Sequence, residues 1–320
     1  MALVGIARLA SHSELLETKR SVQYFELPAR SILNRTKPHM PFQWTINPYR
    51  GCEFGCQYCF ARYTHEFMEM NASDFEDKIY AKSAAAHLLR RELKGVERKE
   101  HIVIGTATDP YQPAERRFAR TRSILEVLVR ERGRRLGITT KSDLILRDLD
   151  LLREIARGNV LAVNFTITTL DERLARLLEP RAPRPALRLA ALRKLSGAGV
   201  AVGVFANPVM PGLTDNEGQL DRLAKTARDA GALWFGGAPL FLMPSARKVF
   251  VPLLEREFPE LVARYRELYA RSAYLGGGYK EMLRARVAKI CQRYGLEAGP
   301  IEYRPELWDG EEQGELFPVQ

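Results

Sequence analysis

From Trp44 onward, apolar and polar positions fall into a regular rhythm. Short apolar runs of strand length at Trp44–Tyr49, His101–Gly105, Leu136–Thr140, Val160–Ile167, Val200–Asn207 and Ala232–Leu242 alternate with longer amphipathic stretches. Those stretches predict helices at Ser83–Leu93, Thr121–Arg132, Leu149–Ala156, Pro185–Ala198 and Glu217–Ala230. In the first of them Ala85, Leu88, Leu89 and Leu93 share one face. Strands separated by helices of this length call for right-handed crossovers and a parallel sheet. With six β/α units rather than eight, the expected α/β fold is an open, partial (β/α)6 barrel of the TIM type.

The flanks break the rhythm. Residues 1–43 hold no sustained period and contain Pro28, Pro38 and Pro41, which predicts a mostly irregular lead-in. Beyond Leu242 the pattern predicts further helices, chiefly Val249–Tyr269 and Gly278–Tyr294, followed by a loose acidic tail. The expected organisation is an N-terminal extension over residues 1–43, the partial barrel over 44–245, and a helical C-terminal extension with its tail over 246–320.

Composition narrows the class. A chain of 320 residues with 46% hydrophobic content can bury one large core. Its opening residues hold six apolar positions before the first arginine, too few for a signal-peptide core, and no apolar run approaches the roughly 18 residues of a membrane span. A soluble, cytoplasmic protein is expected. Of four cysteines, three crowd into eight residues, a spacing that suits a metal better than crosslinks and points to a reducing compartment. The net charge of +10 is uneven: residues 101–200 carry 19 Lys and Arg against 11 Asp and Glu, whereas residues 301–320 carry one arginine against six acids. Eight arginines lie between Arg116 and Arg135, beside the second predicted helix. That position puts them on the barrel exterior, solvated or available to phosphates.

In parallel β/α folds the loops after the strands converge on one mouth, so chemistry is sought there. After the first strand the chain reads Asn47-Pro-Tyr-Arg-Gly-Cys-Glu-Phe-Gly-Cys-Gln-Tyr-Cys-Phe60, giving Cys52-x3-Cys56-x2-Cys59 on a glycine-containing loop. Three thiolates can hold three irons of a cubane cluster and leave the fourth iron open to an external ligand. The alternative from the same residues is tetrahedral zinc, with His65 or Cys291 as fourth ligand. This spacing, together with Gly105-Thr-Ala-Thr-Asp-Pro-Tyr-Gln-Pro113 and Thr139-Thr-Lys-Ser-Asp143, resembles the radical S-adenosylmethionine (SAM) superfamily, in its spore photoproduct lyase-like (DNA repair photolyase-like) branch. The likeness spans about residues 44–245.

The resemblance implies a [4Fe–4S] cluster on Cys52, Cys56 and Cys59. It also implies SAM chelated at the open iron and reductively cleaved to a 5′-deoxyadenosyl radical. Partners expected on the same basis are SAM, an electron donor such as flavodoxin or ferredoxin, and nucleic acid as candidate substrate. Tyr58 stands where the superfamily places a residue near the adenine. The chain departs from the superfamily's Gly-Gly-Glu stretch after the second strand, and Thr106, Thr108 and Asp109 take that position as candidates for the methionine amino group. Lys141, Thr166 and Thr168 end the next two strands and are candidates for the carboxylate and ribose. Plainer readings stand beside these: packing for Tyr58, an Asp-Pro turn for Asp109, a solvated lysine beside Asp143, ordinary strand threonines, and simple turns in Asn207–Gly212. Spore photoproduct lyase itself uses an additional cysteine as hydrogen donor. No cysteine lies between Cys59 and Cys291, and Cys291, on a predicted helix, reads as a structural residue. The functions left in competition are a radical SAM enzyme acting on nucleic acid, one acting on a protein or small molecule, and a non-catalytic iron–sulfur or zinc protein that binds nucleic acid.

Overall fold

The computed structural model describes residues 3–38 and 40–300. The chain opens with α1 (Gly5–Ser11), the hairpin of β1 (Glu14–Lys19) and β2 (Val22–Leu27), and the short β3 (Leu33–Arg35). The lead-in is thus more ordered than its prolines suggest. β2 buries Val22, Tyr24 and Leu27, and pairs in parallel with a strand more than fifty residues downstream. No local period reveals such a long-range partner.

Next come β4 (Trp44–Ile46), the two-residue β5 (Tyr49–Arg50), α2 (Tyr63–Glu66) and β6 (Lys78–Lys82). One four-stranded sheet has the order β1-β2-β6-β5. Helix α3 (Ala85–Glu92) leads to β7 (His101–Ile104), and α4 (Glu115–Phe118) with α5 (Arg120–Leu128) leads to β8 (Arg135–Thr140). Helix α6 (Leu149–Gly158) precedes β9 (Val160–Thr166), α7 (Glu172–Leu178) and α8 (Pro185–Gly197) precede β10 (Ala201–Phe205), and α9 (Glu217–Asp229) precedes β11 (Trp234–Gly236). The larger sheet runs β11-β10-β9-β8-β7-β4-β3, parallel throughout except at its β3–β4 edge. Six parallel strands in sequential order, with β11 and β3 at opposite edges, make the open partial barrel that the patterning predicts.

The parallel strands are buried on both faces because helices cover the outside. Ile104, Ile138, Val163, Phe165, Val202 and Val204 form the centre of the main core, together with Leu152, Ile155, Leu192 and Leu195 from α6 and α8. Gly203 is needed where it stands, since a Cβ there would lie 2.2 Å from the buried ring of Trp234. That ring crosses β10, and its Nε1 donates to Asn164 Oδ1 at 2.9 Å.

The C-terminal region differs from the expectation at one point. Instead of one helix over 249–269, α10 (Pro244–Glu257) stops before Pro259, whose ring cannot continue the hydrogen-bond ladder. Helix α11 (Val262–Leu268) restarts after it, and α12 (Gly277–Tyr294) closes the described chain. The expected acidic tail lies outside the described residues. No helix among those described is long and apolar enough to cross a membrane.

Candidate active site

The cysteine loop begins at Gly51, whose φ of +81° is a left-handed conformation that favours glycine. A Cβ there would also stand 2.7 Å from the Lys78 carbonyl oxygen and 2.9 Å from that of Phe75. The loop is pinned from several sides. Cys52 N–H donates to the Phe75 carbonyl at 2.9 Å, Gln57 N–H to the Leu178 carbonyl at 2.9 Å, and Arg181 N–H to the Phe54 carbonyl at 3.3 Å. After β7, Thr108 Oγ1 donates to the Gly51 carbonyl at 2.7 Å. Gln112 Nε2 donates to the same carbonyl at 3.0 Å, while its Oε1 accepts from Glu53 N–H at 2.9 Å. The side chains of Cys52, Cys56 and Tyr58 join an apolar cluster with Phe250, Leu253 and Leu254 of α10 and Tyr265 of α11. The C-terminal helices therefore roof the loop and keep water off it.

Beside the thiols lies a buried charge network. Glu179, 1% exposed at the end of α7, faces Arg188 of α8 at 2.5 Å and Lys141 at 4.0 Å. It also accepts hydrogen bonds from the Tyr58 hydroxyl and, at 2.6 Å, from Thr168 Oγ1. Burial pushes the Glu179 carboxyl up, but Arg188 and Lys141 prevail and hold it below the usual carboxylate range. Burial opposes the charge on Lys141, yet the neighbouring Cys56 and Glu179 raise it above an ordinary lysine. Lys141 Nζ lies 5.8 Å from the centre of the Tyr58 ring. Burial pushes all three cysteine thiols up, Cys56 to about 12, with Lys141 working the other way there.

The strand-end residues gather around this loop, and several are already engaged. Thr106 Oγ1 is 2.5 Å from Thr45 Oγ1 and accepts from Asn47 Nδ2 at 3.2 Å, joining the ends of β4 and β7. Asp109 accepts from Thr140 Oγ1, Lys141 N–H and Tyr111 N–H, each within 2.9 Å, so its carboxylate ties β7 to β8. Burial raises its pKa against those bonds. Thr166 is buried, and its carbonyl accepts from Arg188 Nη1 at 2.9 Å. Tyr58, Lys141 and Thr168 meet on Glu179. Asn207 Oδ1 accepts from Ala238 N–H at 2.7 Å, which makes the Asn207–Gly212 segment a brace to the chain after β11.

Residues 46–224 match the radical SAM superfamily as a family. That segment is more than half of the chain and contains the whole cysteine loop and four of the six parallel strands, β7 to β10. The chain belongs to the radical SAM superfamily. It is 39% identical over 328 residues to an uncharacterized protein of Mycobacterium tuberculosis strain H37Rv, covering 100% of this chain and 94% of the relative. An uncharacterized protein of Methanocaldococcus jannaschii is 29% identical over 241 residues, covering 75% of this chain and 85% of that one. Among solved structures, a mutant of spore photoproduct lyase with bound AdoMet and dinucleoside spore photoproduct superposes with a TM-score of 0.65. The sequence identity is 16%, over 84% of this chain and 79% of the other. Spore photoproduct lyase complexed with dinucleoside spore photoproduct gives a TM-score of 0.64 at 14% identity, over 85% and 79%. At this level of identity the likeness is one of fold.

Members of the radical SAM superfamily use a [4Fe–4S] cluster and SAM, and the donor set here suits that pair. Burial by itself favours the protonated thiols, and a bound iron would reverse that preference by supplying the positive charge that stabilises each thiolate. Among the described residues no group of three His, Cys, Asp or Glu is arranged to hold a single metal ion. A cubane makes a different demand, because each thiolate takes its own iron. Neither residue suggested as a fourth zinc ligand is grouped with the cysteines, although among the described residues His65 keeps its buried Nδ1 without a partner. His65 Nε2 donates to the Lys78 carbonyl at 2.9 Å, and burial lowers its pKa to about 4. Cys291 packs in the main barrel core, its Sγ donating to the Phe235 carbonyl at 3.3 Å.

In the arginine cluster Arg116, Arg117, Arg130 and Arg132 are exposed, in keeping with an exterior row, while several members are also engaged in ion pairs or hydrogen bonds. Arg117 pairs with Glu17, Arg120 with Glu26 at 2.8 Å, and Arg122 with Asp148 at 2.8 Å and Asp150 at 3.1 Å. Arg134 is buried, donating to the Val96 carbonyl at 2.7 Å. Glu179, which caps α7, and Arg188, inside α8, lie away from the strand ends where the sequence places its candidates. Lys141→Ala is expected to raise the Kd for SAM about tenfold, roughly 1.4 kcal/mol, while iron content stays at the wild-type level. An unchanged Kd in equilibrium dialysis would remove Lys141 from the site.

Proposed function

We propose that this radical SAM enzyme holds its [4Fe–4S] cluster on Cys52, Cys56 and Cys59 and acts on nucleic acid. The observation that carries the first half is the buried, pinned three-cysteine loop lying against the Lys141–Glu179–Arg188 network. When bound, the cluster supplies the electron that cleaves the sulfonium of SAM and yields a 5′-deoxyadenosyl radical. Lys141 is the cation available to the SAM carboxylate, and Tyr58, fixed by Glu179, is the ring available to the adenine. Thr106, Thr108, Thr166 and Thr168 line the remaining strand ends; the hydroxyls of Thr106, Thr108 and Thr168, the Thr166 carbonyl and the Asp109 carboxylate hold the loops around the thiols. The α10 and α11 roof excludes water that would quench a carbon radical.

Nucleic acid is favoured as substrate because spore photoproduct lyase, whose fold this chain shares over most of its length, has been solved with a dinucleoside lesion bound. A run of aromatic rings at the edge of the loop agrees with it. Tyr274 stacks on Phe241 at 4.2 Å, Phe241 meets Phe60 at 6.0 Å, and Tyr63 and Phe67 continue the row. Phe60, Phe67 and Tyr274 are partly exposed, and such rings stack on bases.

The test is anaerobic. Protein reconstituted with iron and sulfide, reduced, and given SAM is expected to release 5′-deoxyadenosine and methionine, faster when single- or double-stranded DNA is added. A fully loaded protein that releases neither product, with or without DNA, would sink the catalytic reading. Release that DNA never alters would sink the substrate reading alone.

A further inference from the structure

In the small sheet β5 and β6 run antiparallel, with Arg50 opposite Tyr80 and Tyr49 opposite Ala81. Lys82, two residues past Tyr80, donates its backbone N–H to the Pro48 carbonyl at 3.1 Å. Arg50 and Lys82 are therefore diagonal neighbours that rise from the same face of the sheet. Lys82 is 7% exposed. Among the described residues neither side chain has a hydrogen bond or ion pair, and Arg50 Nε is buried without a partner. The acid that acts on Lys82 is Glu92, and its carboxylate is already committed. It accepts from Ile32 N–H at 3.1 Å, Leu33 N–H at 2.8 Å and Ser31 Oγ at 3.1 Å.

Two adjacent cations drawn into a fold without an acceptor are costly, because burial strips their water and each opposes the other's charge. Burial and Arg50 together hold the Lys82 ammonium down to about 8. Elsewhere in this protein buried cations are matched, as Arg188 is by Glu179 and Arg62 by Glu76. The pair here has no matching acid among the described residues, and of its nitrogens only Arg50 Nε is sealed from solvent, so the remaining donors are open to a ligand from outside.

We infer that Arg50 and Lys82 form a binding site for a phosphate group. A guanidinium fork and an ammonium offer donors and no acceptor, and a phosphate offers several acceptor oxygens with the opposing charge. Arg50 stands two residues ahead of Cys52 and within electrostatic reach of Tyr63, whose ring belongs to the aromatic row that reaches Phe60, next to Cys59. A phosphate held there sits at the rim of the cysteine loop. The site stands on its own pair of side chains and does not depend on cluster chemistry.

Titration calorimetry on the full chain tests it with two probes, inorganic phosphate and a short single-stranded oligonucleotide. Saturable one-site binding of at least one probe is expected, weakened about tenfold or more in both Lys82→Met and Arg50→Gln, and retained within about threefold in Lys82→Arg. Tighter binding of the oligonucleotide than of phosphate assigns the site to a nucleic-acid backbone; binding of phosphate alone assigns it to a free or small-molecule phosphate. Circular dichroism checks that each variant is folded, and if Lys82→Met is not, Arg50→Gln carries the comparison. The inference is overturned if neither probe binds, or if the variants bind as the wild type does.

Discussion

Cys52→Ala, Cys56→Ala and Cys59→Ala are each expected to lose the cluster and, with it, all detectable 5′-deoxyadenosine formation. A cubane held by three thiolates cannot keep its geometry on two, because one further iron becomes exposed to solvent and reductant. Iron and acid-labile sulfide should fall from about four per chain to a small fraction of that, with the charge-transfer absorption bleached in parallel. The fold itself should survive, since the loop's hydrogen bonds to Phe75, Leu178, Thr108 and Gln112 come from backbone and side chains other than the thiols. Iron and activity kept in any one variant would take that cysteine out of the ligand set.

The second large effect is on stability. Glu179→Gln preserves shape but leaves Arg188 and Lys141 facing one another without their carboxylate. Breaking a buried pair in this way costs about 3–5 kcal/mol. The denaturation midpoint should drop accordingly, and Glu179→Gln combined with Arg188→Met should recover part of the loss. Because the folded Glu179 carboxyl lies below its ordinary range, its contribution is present at neutral pH and is lost as pH falls through and beneath that range. Wild-type stability should therefore fall more steeply in acid than that of Glu179→Gln. Parallel acid profiles, or a Glu179→Gln midpoint equal to wild type, would refute this account of the network.

Much of this architecture is legible in the amino-acid pattern, for identifiable reasons. The six parallel strands are buried on both faces and so read as continuous apolar runs, and α8 and α9 begin within one residue of where the spacing puts them. Helix α7 escapes notice because seven residues give barely two turns of periodicity. Glu179 carries no signal for the same reason, because it follows that short helix and not a strand. Arg188 did carry a signal. It shares a face with Ala191, Leu192 and Leu195, all buried, and a cation on an apolar stripe asks for a buried acid. The small sheet was unreadable for another reason: β2 and β6 pair across more than fifty residues of chain, and that pairing is settled by packing around Tyr24 and Tyr49, not by local sequence.

The way the cysteine loop is pinned bears on how the protein is made. Its backbone is fastened to Phe75, then by Thr108 and Gln112, and last by Leu178 and Arg181. On the ribosome the three cysteines emerge early, yet the final fasteners arrive more than a hundred residues later. A chain still in synthesis exposes thiols with no fixed spacing, open to stray metals and oxidants. The loop with its cysteines at their final spacing is thus complete only after the α7–α8 corner has closed against it.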